Sequence, residues 1–168
     1  IMFPISHFNI TRTPFYYYDK TLLSNTLAKL IRLAGERNYH IHYAVKANAN
    51  PEILKLIAAS GIGADCVSGG EIKAALEAGF PAKKIVFAGV GKADWEIEYA
   101  LEKKIFCFNV ESAEELSVIE ELAKKKENIA SIALRINPNI DGHTHEYITT
   151  GLSENKFGIP IEMLDSIF

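Results

Sequence analysis

His40-Ile41-His42-Tyr43-Ala44-Val45-Lys46, followed by Ala47-Asn48-Ala49-Asn50-Pro51, is the stretch on which the fold turns. Ile41, Tyr43 and Val45 alternate with His40, His42, Ala44 and Lys46, so an extended backbone carries one apolar face and one polar face that ends on an amine. Asn50 is placed to cap a helix and Pro51 to open it, which predicts a strand whose carboxyl end is Lys46. In parallel α/β folds, ligands bind at that end. Position alone leaves Lys46 two readings. Its stem can pack on apolar neighbours while the ammonium reaches water. Alternatively, where burial disfavours the ammonium form, the amine is a nucleophile able to form a Schiff base. Ala44, on the same face, leaves room for a flat ring.

Working outward, a regular alternation follows. Leu23, Leu27, Leu30, Ile31 and Ala34 recur at helical spacing before the lysine strand. After it, the spacing predicts a helix over 51–59 stopped by Gly61, a strand over 62–67, and a helix opened by the capping box Ser68-Gly69-Gly70-Glu71 and stopped by Gly79. A strand over 85–88, a helix over 94–103, a strand over 105–109, a second capping box at Ser112-Ala113-Glu114-Glu115, a helix to about residue 126 and a strand over 131–136 complete the series. The expected strand ends, Lys46, Val67, Ala88, Asn109 and Ile136, lie 21, 21, 21 and 27 residues apart, the beat of a β/α repeat. Strands joined by crossover helices run parallel and need both faces covered, as in a doubly wound sheet or a closed (β/α)₈ barrel. His, Ala and Lys on one face of the first strand, and Ala133, Arg135 and Asn137 on one face of the fifth, favour a TIM-like barrel. About five β/α units do not close an eight-stranded barrel, so the expectation is an incomplete one, the front part of a larger enzyme. Residues 21–168 form that partial barrel. Residues 1–20, with the aromatic run Thr13-Pro14-Phe15-Tyr16-Tyr17-Tyr18-Asp19, are expected to lend a strand to something else.

Composition narrows the function classes. The 168 residues are 48% hydrophobic, with 18 basic and 21 acidic residues in short mixed runs and a net charge of −3, which argues against a nucleic-acid partner. No apolar run approaches the ~20 residues of a membrane span, and the first residues show no charged region followed by an apolar stretch, so neither an anchor nor an export signal is expected. Cys66 and Cys107 follow no metal-ligand spacing and read as buried, reduced thiols of a cytoplasmic protein. His143 and His145, two apart in a Gly-containing loop, lack a third ligand, so no metal is expected.

At Tyr43-Ala44-Val45-Lys46-Ala47-Asn48, Gly63-Ala64-Asp65-Cys66-Val67-Ser68-Gly69-Gly70-Glu71 and Arg135-Ile136-Asn137-Pro138-Asn139-Ile140-Asp141-Gly142-His143-Thr144-His145, the chain resembles the pyridoxal-phosphate decarboxylases of the alanine-racemase-like barrel fold. The run from Thr150-Gly151-Leu152 through Glu154-Asn155-Lys156-Phe157-Gly158-Ile159 looks like the branch acting on meso-2,6-diaminopimelate and not its ornithine or arginine relatives. The resemblance implies pyridoxal 5'-phosphate as cofactor, decarboxylation of meso-2,6-diaminopimelate to L-lysine, and a homodimer. By the same resemblance, Lys46 is the catalytic lysine that holds the cofactor, and Asp65, Glu71 and Arg135 line the cofactor side of the site. Lys156 matches a position at the subunit interface, and the first aromatic stretch matches a strand joined to a C-terminal β-domain. Read without the family, Glu71 is accounted for as the N3 member of a capping box, Asp65 as an acceptor at a strand end, and Arg135 as its structural partner.

In that family the phosphate-binding glycine loop, the ring-stacking histidine, the acid paired with the pyridine nitrogen and a catalytic cysteine come later in the chain and have no counterpart here. The 168 residues alone are therefore expected to be inactive. Rival readings are another decarboxylase or a racemase of the same fold, or a non-catalytic cofactor-binding or assembly unit.

Overall fold

The computed structural model describes residues 3–138 and 157–167. Asp19 accepts from the Leu22 N–H and starts α2, Lys20–Gly35, whose Leu27 and Ala34 are buried. The chain then forms β1, His42–Ala44, and turns through a single 3₁₀ turn, Val45–Ala47. The lysine strand is shorter than its alternation suggests. It ends at Ala44, and Lys46 stands one turn beyond the strand. Val45 is fully buried there and pins the turn to the core.

Asn50 accepts from the Glu52 and Ile53 N–H groups and Pro51 fills the first helical position, giving α3, Pro51–Ala59, at its expected bounds. β2, Gly63–Cys66, then leads to α4, Gly69–Ala78, which ends at Gly79 with φ +100°. β3, Ile85–Phe87, α5, Asp94–Lys103, β4, Cys107–Val110, α6, Ala113–Lys125, and β5, Ile132–Leu134, continue the alternation. Beyond them, β6, Ile136–Asn137, pairs in parallel with β7, Ile159–Pro160, and α7, Leu164–Ile167, follows.

The main sheet is parallel and runs β1-β2-β3-β4-β5 in chain order. A doubly wound sheet would reverse direction at a switch point. Unreversed order with crossovers of one hand puts the helices on one face and bends the sheet into a barrel arc. Burial agrees: Ala64, Cys66, Ile85, Phe87, Phe108 and Val110 pack with Ile72, Ile97 and Ile119 of the helices. On the other face, Asp65, Val86 and Asn109 are only half-buried. The chain is thus an arc of a parallel β/α barrel, as the repeat implies.

Ile5–Phe8 form a short helix, α1, and residues 13–18 belong to neither sheet of the described residues. Apolar rings hold this segment to itself: Phe8 meets Tyr17 edge-on at 5.1 Å and Phe15 at 5.4 Å between centroids. Among the described residues no helix is long and apolar enough to cross a membrane.

Candidate functional site

The carboxyl ends of the five strands border one hollow of about 460 Å³, within the ~300–1,000 Å³ usual for small-molecule sites. Lys46, Asp65, Asn109, Glu111 and Arg135 supply its polar lining. The register accounts for this: Ala44 lies beside Asp65 on neighbouring strands, and Asn109 beside Ala133. The parallel ladder therefore sets these lumen-facing positions side by side, with Lys46 one turn above Ala44 and Arg135 directly after β5.

Asp65 Oδ1 is sealed from solvent and has no hydrogen-bond partner among the described residues. Burial pushes the Asp65 carboxyl above its ordinary value, opposed by the positive charges of Lys46 and His42. Beneath it, burial lowers His42, and the Asp65 charge works against that. A buried carboxylate oxygen lacking a donor costs stability, so it marks a place where a ligand's donor would be welcome.

Arg135 lines the hollow with its side chain 44% exposed. Its Nη1 donates to Glu111 Oε2 at 2.8 Å, and the guanidinium lies 5.6 Å from the Phe157 ring centroid. Glu111 is almost fully buried, and its other oxygen accepts from the Gly89 N–H at 3.2 Å. Behind it sits Lys92, whose side chain is fully buried. Lys92 donates to Gly89 O at 2.7 Å, to Asn109 O at 2.9 Å and to Glu115 Oε1 at 2.5 Å. Glu115 Oε2 accepts in turn from the Glu111 N–H at 2.9 Å.

Of the residues named from sequence, Lys46, Asp65 and Arg135 come together around this hollow. Glu71 does not line it. Its carboxylate accepts from the Val67 N–H at 2.8 Å while Ser68 Oγ accepts from the Glu71 N–H, so it fastens the loop after β2. Lys46 is exposed rather than dry, because this arc leaves the lumen open opposite it. Among the described residues no group of three or more His, Cys, Asp or Glu side chains gathers as metal ligands; His143, His145 and Lys156 lie outside those residues.

Sequence reasoning missed Glu111 and Lys92. The available signal was Asn109-Val110-Glu111-Ser112, a carboxylate between a strand end and a helix cap. Lys92, between Gly91 and Ala93, carried no pattern at all.

A lysine amine, a carboxylate oxygen awaiting a donor and a guanidinium with donors to spare fit a ligand that is at once an aldehyde and a bearer of oxyanions. Pyridoxal phosphate has that chemistry. Residues 24–167 match the family model described as the pyridoxal-dependent decarboxylase, pyridoxal binding domain. The chain is 60% identical over 167 residues to a diaminopimelate decarboxylase of Bacteroides thetaiotaomicron, covering 99% of this chain and 43% of that protein. It superposes on the crystal structure of diaminopimelate decarboxylase from Helicobacter pylori complexed with L-lysine with a TM-score of 0.84 and 46% identity, covering 98% of this chain and 42% of that one. For the M. jannaschii diaminopimelate decarboxylase in co-complex with L-lysine the values are 0.85 and 39%, covering 97% and 39%. The chain thus spans about two-fifths of the length of the relatives it matches.

Proposed function

This chain belongs to the pyridoxal-dependent decarboxylases through their pyridoxal-binding domain, and on that premise we propose that it carries the cofactor-holding lysine of an enzyme that converts meso-2,6-diaminopimelate to L-lysine and CO₂. The observation that carries this reading is the meeting of Lys46, Asp65 and Arg135 around one hollow at the carboxyl ends of parallel strands. The identity to diaminopimelate decarboxylases supports the choice of substrate.

In this reading Lys46 Nζ would hold the cofactor's aldehyde carbon, acting as a nucleophile once it has shed a proton. Asp65 accepts a hydrogen bond through its unpartnered Oδ1 and places a carboxylate near the amine. Arg135, permanently protonated, offers donors to an oxygen that bears negative charge. Pyridoxal phosphate, when bound, supplies the electron sink for the pair left behind as the substrate carboxylate departs as CO₂. The resemblance assigns the phosphate loop and the acid facing the pyridine nitrogen to sequence after residue 168, so turnover belongs to the whole protein. It also implies that the whole protein is a homodimer, and that its aromatic residues 13–19 join a C-terminal β-domain. The two free, buried cysteines suit a cytoplasmic setting.

Borohydride reduction of the full-length protein with pyridoxal phosphate, followed by peptide mass mapping, is expected to leave a phosphopyridoxyl group on Lys46. The Lys46→Ala protein is expected to carry none and to release no CO₂ from meso-diaminopimelate. A wild-type protein that takes no adduct would overturn the proposal.

A further inference from the structure

Arg135 sits on a half-open rim, yet the group that holds it is buried. The Glu111 side chain is 6% exposed against 44% for Arg135. Withdrawing a carboxylate from water costs several kcal/mol unless hydrogen bonds replace the lost hydration, and Glu111 has two, from Arg135 Nη1 and from the Gly89 N–H. Its own backbone is held as well, since the Glu111 N–H bonds Glu115, which is anchored by the buried Lys92. Lys92 also grips the Gly89 and Asn109 carbonyls. The Gly89 peptide is therefore held at its N–H by Glu111 and at its carbonyl by Lys92. The helix needs none of this: Ser112 already serves the α6 cap by accepting from the Glu115 N–H. Three charged side chains thus lock the turn after β3 to the end of β4, and the one oxygen that emerges from the lock grips the guanidinium.

We propose that Glu111 is a positioning residue for the cofactor site, fixing Arg135 from behind so that the remaining donors of its fork face a cofactor oxygen; this deepens the reading above and rests on it. A guanidinium on a long stem has many rotamers, and one charge-assisted bond from a buried, immobile carboxylate removes most of them. Lys92 and Glu115 act one step further back, by holding Glu111.

The test is pyridoxal phosphate binding by the full-length protein, followed by cofactor absorbance and paired with thermal melting of the cofactor-free form. Glu111→Gln is expected to weaken binding by about tenfold to a hundredfold, the range for losing one hydrogen bond between charged groups. Arg135→Gln is expected to do the same, and the double variant to bind no worse than the weaker single one, because both changes break one unit. Equal affinity of Glu111→Gln and wild type, or losses that multiply in the double variant, would overturn the inference. If Glu111→Gln does not fold, Glu111→Asp decides: it keeps the charge and shortens the reach, so weaker binding with a near-native melt supports positioning, and wild-type affinity overturns it. A wild-type protein that binds no cofactor defeats the functional reading itself, an outcome distinct from either.

Discussion

Asp65 is where the demands of the site and of the fold oppose each other. Its carboxyl is half-buried, one oxygen has no donor among the described residues, and burial raises it above its usual range. A carboxyl whose folded value is raised binds protons more tightly when folded, so its contribution to stability is greatest in acid and is lost as pH rises through the folded value. At neutral pH the ionised side chain therefore weakens the fold. Asp65→Asn keeps the shape and removes the charge, so it is expected to raise the urea midpoint at pH 7, with the gain shrinking toward pH 4. A midpoint that falls at pH 7 would show that Asp65 is satisfied after all. His42 runs the other way: its lowered folded value means that its contribution, present above pH 6.5, is lost on acidification. The comparison is accordingly made between the two proteins at each pH. Lys46 was legible as a candidate because it closes the alternation of the first strand, whereas Asp65 and Arg135 were marked as candidates by the family resemblance. Glu111 was not, since a glutamate before an N-cap serine looks like helix-end chemistry, and its partners lie 22 and 24 residues away at Gly89 and Arg135.

Among the elements, helices were far more legible than strands, and caps explain the difference. α3 begins where Asn50 and Pro51 say it should, and α4 ends where Gly79 can take its positive φ. Strands have no such marks. β1 stops two residues before Lys46, since the chain needs a 3₁₀ turn to bury Val45, and β4 starts two residues late, at Cys107. Both capping boxes are altered in the same way. Ser68 and Ser112 accept from the N–H groups of Glu71 and Glu115, but each glutamate reaches past the cap to the residue before it, Val67 or Glu111. That extra reach ties each helix start to the loop bordering the hollow. Ser112→Ala is expected to cost about 1 kcal/mol in urea unfolding and Ser112→Gly only a few tenths, the ordering set by loss of a cap acceptor against retained backbone freedom. Equal costs would indicate that Ser112 acts by packing and not as a cap.

The described residues form an arc whose main sheet has two margins, β1 and β5. Among the described residues β1 and β5 each have a single neighbour in the main sheet, and β7 joins only past the end of β5, where the Ile159 N–H donates to Arg135 O, so the rest of each margin presents unpaired backbone donors and acceptors. The lumen is also open at its amino end, where a hollow of about 400 Å³ is bordered by His42, Gly63, Lys84 and Phe106. Phe106 is 52% exposed there, stacked at 6.2 Å on His42. Parallel sheets are stable when both faces and both edges are covered. Nothing in the five-stranded arc of the described residues covers the lumen face, whereas a closed barrel buries it against its remaining strands. The 168-residue chain expressed alone is therefore expected to self-associate, its weight-average mass in sedimentation rising with concentration. Ile132 stands on the β5 margin, 36% exposed. A lysine there, Ile132→Lys, places a charge where a second strand would dock and is expected to lower that association. A wild-type chain that stays monomeric across the concentration range would mean that its margins are already protected.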